Sequence, residues 1–327
     1  MKHVIVTGGA GFIGSHLCEA LLEKGYAVTA IDNLCTGSKK NIEKLEQSSS
    51  SFNWIEADVS LPLPIDQIRF LDSYGLDGIF HFACPASPVD FEKIPFEILK
   101  VDSYGTFHTV ELALNYNAKY LLASTSEIYG DPLVHPQKET YFGNVNINGP
   151  RACYDETKRF AEALVWSAIQ GQGRWNGKSY QPLDGRIVRI FNTYGPRMRL
   201  DDGRVVPDFC RLALQGKPLR IYGDGRQTRS FCYVSDLVRG ILKLYDSNYR
   251  NPVNLGNDQE RSILDFAKTV IGLTQSKSEI QNLKPRADDP QKRCPDISRA
   301  KETLGWHPEI SLEEGLKSSI DYFKSVL

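Results

Sequence analysis

Short apolar runs alternate with helical patterns along residues 1–191. KHVIVTG is a β-branched run, and FIGSHLCEALLEKG after it carries apolar residues at helical spacing until Gly25. Further strand-like runs are YAVTAID, FNWIEAD, GIFHFA, AKYLLAS and GRIVRIF, and helical patterns such as IPFEILKVDSYGTFHTVELALNY and YDETKRFAEALVWSAIQ lie among them. This alternation predicts an α/β fold in which a doubly wound parallel sheet carries helices on both faces.

The pattern loosens after Asn192, where Pro and Gly interrupt the chain in GPRM, DDGRVVP, GKPL and YGDG. The C-terminal part mixes short helical patterns with polar loops, so a second, smaller lobe built from separate pieces of chain is expected. The polar, Gly-rich segment 171–185 is predicted to be an exposed loop. The predicted boundaries are 1–191 with 226–253 for the sheet domain, and 192–225 with 254–327 for the smaller lobe.

The charge and cysteine content exclude several classes of function. Lys and Arg total 39 and Asp and Glu total 40, so the formal net charge is −1 and neither nucleic acid nor an anionic membrane is expected as the main partner. Seven scattered cysteines without a CxxC pair predict no zinc site and no disulfide framework. The N-terminus lacks the pattern of a signal peptide, and no segment is long enough to span a membrane. We expect a soluble, cytoplasmic protein without a bound metal.

A glycine-rich turn follows the first predicted strand and opens the first predicted helix. Its glycines, Gly8, Gly11 and Gly14, have the spacing G-x-x-G-x-x-G. Gly8 allows a tight turn, Gly11 lets the backbone approach a pyrophosphate at the helix N-terminus, and Gly14 lets helix and strand pack closely. The turn therefore predicts a Rossmann-type dinucleotide site.

An acidic residue completes the dinucleotide pattern. Asp32 ends the second predicted strand, where a carboxylate can accept both hydroxyls of an adenosine ribose and would repel a 2′-phosphate. NAD is therefore favoured over NADP. Asp58 and Val59 follow another strand and could lie against the adenine, although a plain strand end would explain them nearly as well. The expected cofactor contacts are Gly8, Gly11, Phe12, Ile13, Gly14, Asp32, Asn33, Asp58, Val59 and Lys158.

Tyr154 and Lys158 are spaced i, i+4 on a predicted helix and so share one face. A nearby ammonium favours the phenolate form of a tyrosine, and a phenolate can take a hydroxyl proton while hydride leaves the same carbon for nicotinamide. Thr125 or Ser126, at the end of the strand AKYLLAS, would supply a third hydroxyl. Glu127 beside them is not needed for a simple dehydrogenase.

Seven longer motifs extend along nearly the whole chain: ACPASP, TSEIYGDPLVHPQ, GPRACYDETKR, RIFNTYGPRM, DGRVV, YGDGRQTRSFCYVSDL and DDPQKRCPDI. With the glycine turn and YxxxK, they resemble the extended short-chain dehydrogenase/reductase superfamily, and within it the UDP-glucuronate decarboxylases, also called UDP-xylose synthases. The resemblance implies bound NAD, a UDP-sugar substrate and a homodimer formed through a pair of helices that includes the YxxxK helix. Phe160, Leu164 and Ala168 fit that interface, but they fit the domain core equally well.

The resemblance also implies which reaction follows oxidation of the sugar C4 hydroxyl. Related dehydratases have T-D-E where this chain has Thr125-Ser126-Glu127, and related 4-epimerases have a small or hydroxyl residue in place of Glu127. T-S-E matches the decarboxylases. Catalytic roles are implied for Thr125, Glu127, Tyr154, Lys158 and Arg293. Glu127 could move a proton or only arrange its neighbours, and Arg293, a poor direct acid, is expected to orient the carboxylate or a water.

The substrate contacts come from the same motifs. Arg229 and Arg293 are expected to bind the diphosphate, because guanidinium groups suit bidentate phosphate contacts. Asn192 could add an amide hydrogen bond, and Ser87 could bind the sugar carboxylate unless its loop is merely rigid. The full set of expected substrate contacts is Ser87, Glu127, Tyr154, Asn192, Arg204, Tyr222, Gln227, Arg229 and Arg293.

Two rival functions and several departures from the family pattern stay open. A UDP-glucuronate 4-epimerase, or a relative that releases the 4-keto pentose, is the enzymatic rival; a non-catalytic NAD-binding regulator is the rival from another class. Cys84 stands where Ser is more common in the family, Asp102 where Asn is usual, and Thr157 where Gly is common. Asp102 could alter local packing.

Overall fold

The strands belong to one large sheet and several small ones in the computed structural model, which describes residues 1–285 and 292–327. Their bounds are β1 (His3–Thr7), β2 (Ala27–Asp32), β3 (Phe52–Glu56), β4 (Gly78–His81), β5 (Lys119–Thr125), β6 (Gly185–Ile190), β7 (Thr193–Tyr194), β8 (Leu219–Tyr222), β9 (Thr228–Ser230), β10 (Cys232–Tyr233), β11 (Val253–Leu255), β12 (Glu260–Ser262), β13 (Ile280–Leu283) and β14 (Lys292–Arg293). The large sheet has the order β11-β6-β5-β4-β1-β2-β3, and all its neighbouring pairs are parallel. This confirms the predicted doubly wound Rossmann-type fold.

The helices connect these strands. Their bounds are α1 (Phe12–Glu23), α2 (Glu43–Ser48), α3 (Leu71–Tyr74), α4 (Pro88–Lys93), α5 (Pro95–Lys100), α6 (Thr106–Tyr116), α7 (Ala152–Ile169), α8 (Val205–Leu214), α9 (Val234–Asp246), α10 (Ile263–Thr274), α11 (Ser298–Leu304) and α12 (Leu312–Val326). The helical pattern that begins at Ile94 is not one regular α-helix, because a π-helical turn, Val101–Gly105, lies between α5 and α6. The segment 171–185 is mostly irregular, as predicted.

Two apolar clusters cover the two faces of the large sheet. On one face, α1 and α9 pack against the strands through residues such as Leu17 and Ile241. On the other face, α6 and α7 contribute Val110 and Val165 to a second cluster. Because both faces are covered, all five residues of β1, HVIVT, are buried, and the three central ones are consecutive apolar residues.

A third apolar cluster lies among α8, α10 and α12, where Phe209, Phe266 and Phe323 are buried. The small sheets β8–β13 and β12–β9–β14 belong to the same C-terminal part of the chain. Trp306, by contrast, is buried in the cluster that covers the large sheet, so pieces of the C-terminal chain return to it. The division into two domains stays a prediction.

The order of the large sheet reverses beside β1, whose neighbours are β2 and β4. Ligands of such sheets bind at the carboxyl ends of the strands near this switch point. The ends of β1 and β5, Thr7 and Thr125, therefore mark the place where a site is expected. Within residues 1–285 and 292–327, no helix is both long enough and apolar enough to cross a membrane.

Candidate active site

A single cleft of about 600 Å³ runs along the carboxyl ends of the sheet and continues toward the C-terminal cluster. Its volume falls within the usual range for small-molecule sites. Every site residue predicted from the sequence lines this cleft, from Gly8 at one end to Arg293 at the other. The first four residues of the DDPQKRCPDI motif, 288–291, lie outside the described residues.

The glycine turn forms the floor at one end of the cleft. Gly8 has φ +69°, and a Cβ atom there would lie 2.7 Å from the carbonyl carbon of Phe82. A Cβ atom on Gly14 would overlap the carbonyl oxygen of Gly8. Gly11 precedes α1, whose first turn contains no acidic residue, so no carboxylate of the helix itself offsets the positive end of its dipole, which faces the cleft.

Asp32 organises the loops around this turn. Its Oδ2 accepts a hydrogen bond from the backbone of Ala10 at 3.1 Å, and its Oδ1 accepts one from Leu34 at 2.8 Å. Burial raises the pKa of Asp32 despite these hydrogen bonds. A Cβ atom on Gly37 would lie 2.9 Å from the carboxylate, so only glycine lets this loop pass so closely. The glycine cradle, the acid-free helix N-terminus and Asp32 together fit a dinucleotide.

Asn33 and Asp58 shape the rim near Asp32 through their side chains. Asn33 is exposed, and its Oδ1 accepts a hydrogen bond from the backbone of Cys35 at 3.0 Å. The Oδ1 atom of Asp58 accepts one from Ser60 at 2.8 Å. Both side chains stabilise turns that border the cleft, and Val59 is buried beside them.

Tyr154 and Lys158 lie on one face of α7, as their spacing predicted, and both are buried. The Tyr154 ring stacks on Phe91 with centroids 5.0 Å apart. Burial raises the pKa of Tyr154, whereas the Lys158 ammonium and a hydrogen bond with Thr125 act in the opposite direction. Burial outweighs both, so the pKa of Tyr154 lies above its usual range, and Tyr154, Lys158 and Thr125 line the same cleft.

Glu127 lies in a short 3₁₀ turn, Ser126–Tyr129, that Thr125 caps by accepting a hydrogen bond from the Glu127 backbone at 3.2 Å. Its carboxylate forms ion pairs with Arg151 and with Arg293. Burial alone would raise the pKa of Glu127, but the guanidinium groups outweigh it and hold that pKa below its usual range. Glu127 is therefore an anion that lies between cations.

Arg151 and Asp155 extend this cluster, and the sequence reasoning did not select them. Arg151 precedes Tyr154 by three residues, an i, i+3 spacing that places both at the start of α7 and could have indicated a shared site. Burial and the neighbouring Glu127 raise the pKa of Asp155 to about 7. The Nη2 atom of Arg293 is buried without a hydrogen-bond partner among the described residues, so it is available to a ligand.

The far end of the cleft carries the residues expected to bind a nucleotide. Arg229 on β9 lies in register with Arg293 on the parallel strand β14, and both are buried. Gln227 Nε2 donates a 2.6 Å hydrogen bond to the carbonyl oxygen of Tyr222, which closes the turn between β8 and β9. Asn192, after β6, also lines the cleft.

Ser87 and Arg204 meet at Asp202. The Ser87 hydroxyl donates to the carbonyl oxygen of Asp202, and Arg204 Nη2 contacts the Asp202 carboxylate at 2.7 Å. In this structure the Ser87 proton therefore ties its loop to the segment before α8. The hydroxyl oxygen is left to accept, rather than donate, a further hydrogen bond.

The fold and this site are those of a nucleotide-sugar enzyme built on a dinucleotide fold, and the comparisons agree. Residues 4–256 match the family model described as "NAD dependent epimerase/dehydratase family". The chain belongs to this family.

Among curated proteins, the chain is 48% identical over 326 residues to UDP-glucuronic acid decarboxylase 1 of Xenopus tropicalis. The match covers 100% of the chain and 73% of that relative. It is 47% identical over 322 residues to UDP-glucuronic acid decarboxylase 1 of Arabidopsis thaliana, at 98% and 70% coverage. Among solved structures, UDP-glucuronic acid 4-epimerase from Bacillus cereus, in complex with UDP-glucuronic acid and NAD, superposes with a TM-score of 0.86 at 29% identity and 100% coverage of both chains.

Proposed function

We propose that this protein is a UDP-glucuronate decarboxylase that converts UDP-glucuronate to UDP-xylose. The observation that carries the proposal is the Glu127–Arg151–Arg293 cluster beside Thr125 and Tyr154 in one cleft. Under this proposal, the residues of the dehydrogenase step and the guanidinium groups that would meet a carboxylate are neighbours. Relatives that are 45–48% identical over nearly the whole chain carry the decarboxylase name, whereas the 4-epimerase structure is 29% identical.

NAD would be held by the glycine turn and by Asp32, whose carboxylate disfavours the extra phosphate of NADP. Asn33, Asp58 and Val59 would border its adenosine. When bound, NAD supplies the acceptor, and later the donor, of the hydride at sugar C4.

Tyr154 would exchange the proton of the sugar C4 hydroxyl. Thr125 would donate a hydrogen bond to the same oxygen, and Lys158 would favour the phenolate form of Tyr154 that accepts the proton. Arg229 would bind the diphosphate, with Asn192, Arg204 and the ring of Tyr222 around the nucleotide.

Decarboxylation would follow at the Glu127 cluster. Once C4 is a ketone, the C6 carboxylate is β to it, and loss of CO₂ would leave an enolate that accepts hydrogen bonds from Tyr154 and Thr125. A proton from solvent would then add to C5, and return of the hydride to C4 would give UDP-xylose. The free Nη2 of Arg293 would orient the carboxylate. Glu127 is held as an anion, which favours an arranging role over proton donation.

A homodimer formed through α5, α6 and α7 is part of this proposal. Phe96 and Tyr104 are 69% and 59% exposed, and Phe107 and Phe160 are each 43% exposed with ring centroids 6.2 Å apart. An exposed aromatic patch of this kind is typical of an interaction surface. Ala168, in contrast, is buried in the core. Sedimentation analysis should give a dimer, and Phe107→Glu should shift it toward the monomer.

Purified protein incubated with UDP-glucuronate tests the reaction. Nuclear magnetic resonance should show UDP-xylose, and trapping of CO₂ should match it mole for mole. Formation of UDP-galacturonate without CO₂ would instead identify an epimerase. Accumulation of a 4-keto pentose would mean that the final reduction is incomplete.

A further inference from the structure

Asp102 forms a buried ion pair with the lysine of the active site. Its Oδ1 lies 2.9 Å from Lys158 Nζ, and the exposed fractions of the two side chains are 0% and 4%. Asp102 belongs to the π-helical turn Val101–Gly105, which places its carboxylate toward α7. Such turns inside helices are frequent at functional sites.

The other carboxylate oxygen of Asp102 is also occupied. Cys84 Sγ and Thr157 Oγ1 each lie 3.2 Å from Oδ2. Thr157 has a single hydroxyl proton, and its oxygen lies closer to the carbonyl oxygen of Cys153, at 2.5 Å, than to Asp102. Thr157 therefore donates to Cys153, and the Cys84 thiol is the donor to Asp102 Oδ2. The three departures from the usual family residues, Cys84, Asp102 and Thr157, are therefore mutual neighbours beside Lys158.

Lys158 has two close polar contacts. Its ammonium is paired with the Asp102 carboxylate through charge, and it donates a hydrogen bond to the carbonyl oxygen of Ala123 at 3.1 Å. Burial by itself would lower the pKa of Lys158, but Asp102 and its other neighbours raise that pKa above its ordinary value. The ammonium is thus fixed in both charge and direction.

Neutral groups surround this pair, apart from one arginine. Burial and the Lys158 charge lower the pKa of His81 to about 3, and burial raises the pKa values of Cys84 and Tyr120. Within residues 1–285 and 292–327, the titratable and charged groups that interact with Tyr154 or Lys158 include His81 (β4), Cys84 (after β4), Asp102 (π-helical turn), Tyr120 (β5) and Arg204 (before α8). Asp102 is the anion of this set.

We propose that Asp102 is a positioning residue that fixes the Lys158 ammonium and moves the pH range in which Tyr154 acts toward the alkaline side. The carboxylate offsets part of the positive charge that would otherwise favour the phenolate. The proposal rests on the proposed function, in which Tyr154 exchanges a proton with a sugar hydroxyl.

Asp102→Asn tests it in the NAD-loaded enzyme, because the amide keeps the size and removes the charge. The acidic limb of the kcat–pH profile should move down by about one pH unit, so that kcat below the limb rises about tenfold while KM changes little. The phenolate absorbance of Tyr154 should also appear at a lower pH in Asp102→Asn than in the natural protein. It is recorded without substrate, as the difference between each protein and its Tyr154→Phe counterpart. This second readout does not depend on which sugar is the substrate.

Glu162→Gln is the matched control. Like Asp102, Glu162 is a buried carboxylate in an ion pair, here with Arg189 at 2.8 Å. It lies on α7, one helical turn from Lys158. It should destabilise the protein without moving the Tyr154 signal. The proposal would be overturned if the phenolate absorbance of Tyr154 began at the same or a higher pH in Asp102→Asn than in the natural protein. It would also be overturned if neither protein showed this absorbance at any pH at which it is folded. An equal shift in Glu162→Gln would overturn it as well.

Discussion

Replacement of Glu127 by glutamine tests the charge balance at the place where the substrate carboxylate would bind. Glu127 is paired with Arg151 and Arg293, and Arg229 also acts on it electrostatically. Gln has the same shape but leaves the surrounding guanidinium groups without their anion. The local charge near the substrate carboxylate therefore rises by about one unit.

The size of the effect follows from Coulomb's law. Unit charges about 6 Å apart interact by about 3 kcal/mol at an effective dielectric constant of about 20. If rearrangement and water remove half of this, about 1.4 kcal/mol is left, which is about tenfold in affinity. The bound carboxylate should be stabilised by this amount, whereas the transition state, in which that charge leaves as CO₂, should gain less.

Glu127→Gln should therefore bind UDP-glucuronate about tenfold more tightly and release CO₂ more slowly, by up to about tenfold. Calorimetric titration with UDP-glucuronate and with UDP-glucose separates the effect on the carboxylate from any general change, because UDP-glucose lacks that group. Full CO₂ release, or an equal change in affinity for both ligands, would refute the reasoning. Glu156→Gln is the control, since Glu156 lies on α7 but pairs with Arg159 on the exposed side.

The remaining predictions concern the base, the cofactor turn and a buried acid. Tyr154→Phe should lower kcat by about 100- to 10,000-fold while the purified protein still contains NAD, and near-normal turnover would contradict a proton-transfer role. Gly14→Ala would press a methyl group onto the Gly8 carbonyl, so the melting temperature and the NAD content should both fall; unchanged values would show that the turn can adapt. Asp155 titrates near 7 when folded and near 3.8 when unfolded, so its contribution to stability declines as the pH rises between these values. The melting temperature of Asp155→Asn, relative to that of the natural protein, should therefore rise as the pH increases from 3.8 to about 7. A difference in melting temperature that does not change with pH would contradict the assigned pKa.

The large sheet could be predicted because its strands are marked by apolar runs and its turns by glycine. Gly8 and Gly14 show the reason: each stands where a side chain would clash with backbone, and that constraint is local along the chain. The π-helical turn at Val101–Gly105 was not predicted, because one widened turn leaves the helical spacing of apolar residues nearly intact.

The site could be predicted as a set of residues but not as a set of contacts. Tyr154 and Lys158 share a helix, so their spacing indicates their proximity. Glu127 and Arg293, by contrast, are separated by 166 positions, and their ion pair depends on how β14 lies against the 3₁₀ turn after β5. The Asp102–Lys158 pair likewise joins two elements that the sequence pattern treats separately.

The charge of the Glu127 cluster offers a physical reason why the same oxidation can lead to different products. A 4-epimerase that acts on UDP-glucuronate has to keep the carboxylate while C4 is a ketone, and a tightly paired carboxylate is a poor leaving group because its charge is stabilised before it is lost. Here Glu127 already engages Arg151 and Arg293, so less of their charge is available to hold the substrate carboxylate. In the proposed mechanism, Thr125 and Tyr154 would stabilise the enolate oxygen, which would lower the barrier on the product side. Glu127 would then favour loss of CO₂ through its charge, without itself transferring a proton.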